Sequence, residues 1–167
     1  MTDLMNALSE AIDGTVILAE QNAPRPPYPY IGIKVLAQHI PDRHHPSIEN
    51  ELEEQDLLKQ TAHTKPQMTL SVTEYHDDVN AGDLVQAAHD WFLWSGYRKL
   101  KELGFVMIET LDISNRDTVL VDTYERRRGF DVRLRYVRSI ERFVETIESI
   151  SGTLIVNERE NEFDVEE

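Results

Sequence analysis

The segment that most constrains this chain is Arg128 to Arg138, RGFDVRLRYVR, in which Phe130, Val132, Leu134 and Tyr136 alternate strictly with Asp131, Arg133 and Arg135. Successive side chains of a strand point to opposite faces, so a period of two demands a sheet with one apolar face and one wet or ion-paired face. Two other runs share the pattern. In Ile31 to Ile40 the apolar set begins Ile31, Ile33, Val35, and in Gln67 to His76 Met68, Leu70 and Val72 oppose Thr69, Ser71 and Thr73. Phe105 to Ile113, Thr118 to Tyr124 and Thr153 to Val156 are shorter β-prone stretches. Ser139 to Ile150 suits either a short helix or a connecting strand, and the polar, acidic Ile48 to Lys65 suits a solvent-facing strand or hairpin arm.

Helical spacing occurs in two places. Leu4, Met5, Leu8 and Ile12 predict a short N-terminal helix, with Thr2 as N-cap and Gly14 ending it in a left-handed conformation. From Leu84 through Trp91, Phe92 and Leu100 to Leu103, mixed spacings of three and four predict a long helix over 80–103, bent near Ser95 and Gly96. The expected fold is therefore α+β: a single domain over 1–157, with a mostly antiparallel sheet packed by a long central helix and a short N-terminal helix. Residues 158–167 hold six acids in ten positions and are expected to form a flexible, solvated tail.

Composition narrows the function classes. The 167 residues include no cysteine, which removes disulfides, thiolate metal sites and cysteine nucleophiles. With 17 Lys and Arg against 31 Asp and Glu, the net charge of −14 repels phosphate backbones, so tight DNA binding is not expected. Met1 to Asp13 lacks the long apolar run of a signal peptide, and no stretch of about 18 apolar residues offers a membrane span. Glycines are scattered singly, without a phosphate-loop pattern. Asp42, His44 and His45 stand close in a Pro-bounded loop and are the one set from which a small metal-dependent hydrolase could be imagined. A triad from Ser47, His45 and Asp42 has no geometry in its favour beforehand.

The distribution of charge is uneven. Seven of the 12 arginines lie between Arg126 and Arg142, among them Arg126, Arg127, Arg133 and Arg135, whereas acids concentrate at 49–56 and 158–167. One reading covers the basic strip with the chain's own acids. The other pairs it with the acids of the next copy in a head-to-tail ring.

Certain short motifs resemble those of the neck and tail terminator proteins of tailed bacteriophages. They are QNAPRP at Gln21 to Pro26 with Pro29-Tyr30 after it, the strand from Ile31, and Tyr124-Glu125-Arg126-Arg127 leading into FDVRLRY. The resemblance spans about 2–157. It implies a non-enzymatic virion protein, with no cofactor or metal, that forms a hexameric ring at the head-proximal end of the tail. Its implied partners are further copies of itself, the tail tube protein and a head-completion or connector protein. The genome would pass through without sequence-specific binding, and assembly would occur in the cytoplasm of the bacterial host. The resemblance also implies subunit contacts from an arm of Gln21, Asn22, Pro24, Arg25 and Pro26, anchored by Tyr28 and Tyr30, and from Glu125, Arg126 and Arg127. Another neck or baseplate component is the alternative within the same setting.

Overall fold

The computed structural model describes residues 1–52, 57–77, 82–120, 123–145, 149–156 and 159–166. The first half contains α1 (Thr2–Ile12), β1 (Thr15–Leu18), β2 (Tyr30–Ile40), β3 (Ser47–Leu52), β4 (Leu57–Thr64) and β5 (Gln67–His76). Next come α2 (Asp83–Asp90), a π-helical turn (Trp91–Ser95) and α3 (Tyr97–Glu102). The remainder is β-structure: β6 (Phe105–Thr110), β7 (Ser114–Asn115), β8 (Thr118–Leu120), β9 (Thr123–Tyr136), β10 (Arg138–Glu145), β11 (Ser149–Val156) and β12 (Arg159–Glu166). No helix among the described residues is long and apolar enough to cross a membrane.

The chain divides into two compact units, one of Met1–His45 with Thr64–Arg138 and the other of Pro46–His63 with Ser139–Glu167. The cause is pairing: among the described residues β3, β4 and β10 bond among themselves in the order β10-β4-β3, and β11 pairs with β12.

In the first unit the strands follow the order β1-β2-β5-β9-β6, with β7 and β8 also on β9. All of these pairings are antiparallel except β1 with β2. Register explains the core. Ile33, Val72 and Phe130 are direct cross-strand neighbours, and so are Leu70 and Val132, which sends the apolar residues of three strands to one face. Leu4 and Leu8 of α1, Val85 and Ala88 of α2, Trp91, Phe92 and Leu100 close over that face, all buried. Each fully buried side chain of this size contributes about 1.5–3 kcal/mol.

The expected fold class is overturned at the helices. Strands dominate the described residues, with helix a small portion, and no long central helix is present among them. The helical stretch over 83–102 is broken because Gly96 donates to the Trp91 carbonyl five residues back (2.8 Å), inserting a π turn. A β-carbon on Gly96 would lie 2.4 Å from the Trp91 ring and 2.8 Å from its carbonyl oxygen, so glycine is what lets the indole fold against the backbone there. The inserted residue changes the helical phase. Trp91, Phe92 and Leu100 face the sheet while Leu93, Trp94 and Tyr97 face outward.

Smaller differences have equally local causes. No side chain caps α1, and Asp13 rather than Gly14 takes the left-handed conformation, with φ 48°. At Gly14 a β-carbon would sit 3.1 Å from the Leu84 side chain, a tight fit that leaves little room for a larger residue. At α2 the donors left free by the helix start are met from a neighbouring strand: buried Glu74 accepts from the backbone N–H of Gly82 (3.1 Å) and Val85 (2.9 Å). The alternative of a helix over 139–150 gives way to β10 at Arg138–Glu145. The tail expected over 158–167 includes β12, paired antiparallel with β11 from Arg159 opposite Val156 to Glu166 opposite Ser149. Phe163 and Val165 alternate with Glu162, Asp164 and Glu166, which is a strand's period hidden beneath the acid count.

Candidate functional site

The helices cover one face of the first unit's sheet, and the register fixes what stands on the other. Tyr30, Tyr75 and Arg127 form one cross-strand row, Gly32, Thr73 and Gly129 the next, and Lys34, Ser71 and Asp131 the third. The two glycines make the face habitable. A β-carbon on Gly32 would come within 2.8 Å of the Tyr75 ring. One on Gly129 would meet the Val72 carbonyl at 2.7 Å, the Thr73 hydroxyl at 2.8 Å and Arg116 at 3.0 Å.

Over the first row lies the Pro-rich segment between β1 and β2, which contains a cis peptide bond at Tyr28-Pro29. Tyr28 stacks on Tyr30 with ring centres 5.7 Å apart, Tyr30 on Tyr75 at 4.9 Å, and the Arg127 guanidinium lies 5.0 Å from the Tyr75 ring centre. At the end of the stack sits Glu125, its side chain 1% exposed. Its Oε1 accepts from Arg25 Nη1 (2.8 Å) and the Tyr28 hydroxyl (2.6 Å), and its Oε2 accepts from Arg127 Nε (2.6 Å) and is also ion-paired with Arg127 Nη2. Burial opposes the charge on Glu125, but the hydrogen bonds from Tyr28 and Arg127 and the charges of Arg127 and Arg25 outweigh it and hold the carboxyl below its ordinary value. The Tyr28 phenol is pushed up by its bond to Glu125 and Tyr30 by burial, so both stay neutral and Tyr28 remains a donor.

Two further carboxylates organise the neighbourhood. Asp117 accepts from the Arg127 backbone N–H (2.7 Å) and Arg126 Nη1 (3.2 Å), and the backbone bond in particular keeps it below its ordinary value. Arg126 also lies over the Tyr124 ring at 4.7 Å. Arg116 bonds Ser71 Oγ (2.5 Å), Thr73 Oγ1 (3.2 Å) and Asp131 Oδ1 (2.9 Å) in the space Gly129 leaves open. Gly129→Ala is therefore expected to cost about 1–3 kcal/mol, because a backbone carbonyl is among the atoms it strikes. Urea denaturation measures this, and unchanged stability would refute the close-approach argument.

The structure thus brings together Arg25, Tyr28, Tyr30, Glu125 and Arg127, from two motifs about a hundred positions apart. Gln21 and Pro24 line an adjacent cleft of about 510 Å³ with Arg25, Tyr30, Lys34 and Arg127, while Asn22 is exposed and Pro26 half-buried. Arg133 lies farther along β9, paired with Glu109 (3.0 Å). Arg135 does too, and its buried Nε has no hydrogen-bond partner among the described residues. The resemblance directs the arm and Arg127 toward a neighbouring copy, yet Arg25, Tyr28 and Arg127 are engaged with Glu125 of their own chain. Tyr75, Arg116 and Asp117 carry no motif that marks them as site residues in the sequence. Tyr75 was accessible from the parity of Ser71 and Thr73, and Gly129 inside an otherwise ideal strand was a mark of close approach.

As for the loop histidines, the Asp42 carboxylate accepts from the His44 backbone N–H (3.3 Å). Among the described residues no three His, Asp or Glu side chains gather as a ligand set.

A sheet with one face under helices, and the other carrying carboxylates saturated by guanidinium and phenol donors, is a rigid scaffold whose polar groups fix shape. The chain belongs to the phage neck terminator family: the family model described as Phage neck terminator protein matches residues 2–160, which takes in the Pro-rich segment, Glu125 and every strand of the first unit's sheet. It is thus a structural protein of the phage neck. No curated protein matches the chain significantly.

Proposed function

We propose that copies of this protein form a hexameric ring at the head-proximal end of the phage tail, where the ring ends growth of the tube and joins it to the head. The observation that carries this reading is the family match across 2–160. The partners are the tail tube protein on one side and a head-completion or connector protein on the other, and no reaction is catalysed. A net charge of −14 suits a conduit through which DNA must slide, since an acidic lumen offers phosphates no counter-charge. Assembly takes place in the cytoplasm of the bacterial host, and the finished ring remains in the virion.

The test is negative-stain imaging with native mass determination on concentrated full-length protein, alone and with tail tubes. Six-fold rings, or a mass of six chains, are expected. Monomers under every condition, tubes included, would contradict the reading.

A further inference from the structure

The described residues of the second unit leave apolar surface uncovered. Among its described side chains none is buried. Its three-stranded sheet ends in β3, whose six residues are all exposed. Ile48 is 54% and Leu52 74% exposed. A small sheet whose described side chains are none of them buried is marginal in water by itself, and an open edge strand presents unpaired backbone groups. Ile48, Asn50 and Leu52 share one face of β3, and Glu49 and Glu51 the other.

The first unit carries the reverse surface. The π turn leaves Trp94 85% exposed, with Leu93 and Tyr97 about half exposed beside it. Arg98 and Lys101 of α3 follow on the same helical segment, with Lys101 5.6 Å from the Tyr97 ring centre. Lys99 meets only Glu102, at 3.6 Å, and neither Arg98 nor Lys101 has a carboxylate partner among the described residues. Of the basic strip on β9, Arg126, Arg127 and Arg133 are already paired with carboxylates of their own chain. In so acidic a chain, this is a cationic patch with an aromatic centre.

We propose that the Leu93-Trp94-Tyr97 patch is the seat for β3 of a second copy. This rests on the ring reading above and names its contact. Ile48 and Leu52 supply the apolar face that Trp94 and Leu93 lack a cover for, and Glu49 and Glu51 lie at the rim, where Arg98 and Lys101 reach round the open edge. Strand and seat are different surfaces of one chain, so the contact is head-to-tail and closes into a ring when the rotation permits.

Because the chain has no cysteine, the contact can be tested by disulfide trapping between full-length chains. Asn50→Cys in one preparation and Leu93→Cys in another are mixed and oxidised. A mixed dimer is expected in the mixture and not from either variant alone. Trp94→Ala, exposed enough to leave folding intact, is expected to weaken association by a factor on the order of thirty or more, as loss of a central aromatic anchor does. Absence of the mixed disulfide, with Trp94→Ala still giving rings of unchanged mass, would overturn the seat and leave the ring standing. Failure of the unmodified protein to associate, alone or with tubes, would overturn both.

Discussion

Glu125→Ala is expected to lower the stability of the protein by about 3 kcal/mol, at the low end for removal of one partner from a buried ion pair. The low end applies because water reaches the partners in part: the side chains of Arg25 and Arg127 are 58% and 24% exposed, against 1% for Glu125. In a chain of this size that corresponds to a fall in Tm of roughly 6–12 °C. Arg25→Ala, at the exposed end of the same cluster, is expected to cost no more than about 1 kcal/mol. The pH dependence has a definite sign. Glu125 titrates below its ordinary value in the folded protein, so its contribution is complete above the unfolded-state value near about 4.3 and is lost as pH falls through the folded one. Asp117 is shifted the same way, so Glu125→Gln should flatten the acid limb of the stability profile without abolishing it. Equal stability of Glu125→Ala and the parent protein, or identical acid limbs, would contradict the assignment of Glu125 as the anchor of the Pro-rich segment.

Phe130→Ala is expected to cost more, about 4 kcal/mol, within the range for emptying a buried aromatic site. Phe130 is fully buried at the end of the Ile33-Val72-Phe130 row, with Phe92 edge-on at 6.0 Å and His89 edge-on at 4.9 Å. Strand, helix and π turn all meet its ring, so the site has little freedom to collapse. Chemical denaturation reads the loss directly, and a cost below about 1 kcal/mol would mean that the helical layer does not pack as described. Trp94→Ala offers the contrast. Its indole lies outside this core, so it should leave the melting curve of the unassociated chain in place while changing association.

The difference between what was legible and what was not follows from the range of the interactions. Period-two alternation is local, and it located β2, β5 and β9 together with their inward faces. The meeting of Tyr30, Tyr75 and Arg127 depends on register across three strands, which no single strand encodes. The two motifs are legible in sequence, but that Arg25 and Arg127 both reach Glu125 of their own chain is not, because the motifs lie about a hundred positions apart. Helical spacing over 80–103 was real but blind to the Gly96–Trp91 contact that inserts the π turn. At 158–167 the density of acid masked the alternation of Phe163 and Val165.

The central claim is that this protein caps a tube at one end, and adding the full-length protein to growing tail tubes tests it most directly. Growth should stop at a substoichiometric ratio to tube subunits, with a single six-fold cap at one end of each tube by electron microscopy. Tubes that lengthen at an unchanged rate, or that carry the protein along their sides or at both ends, would contradict the account.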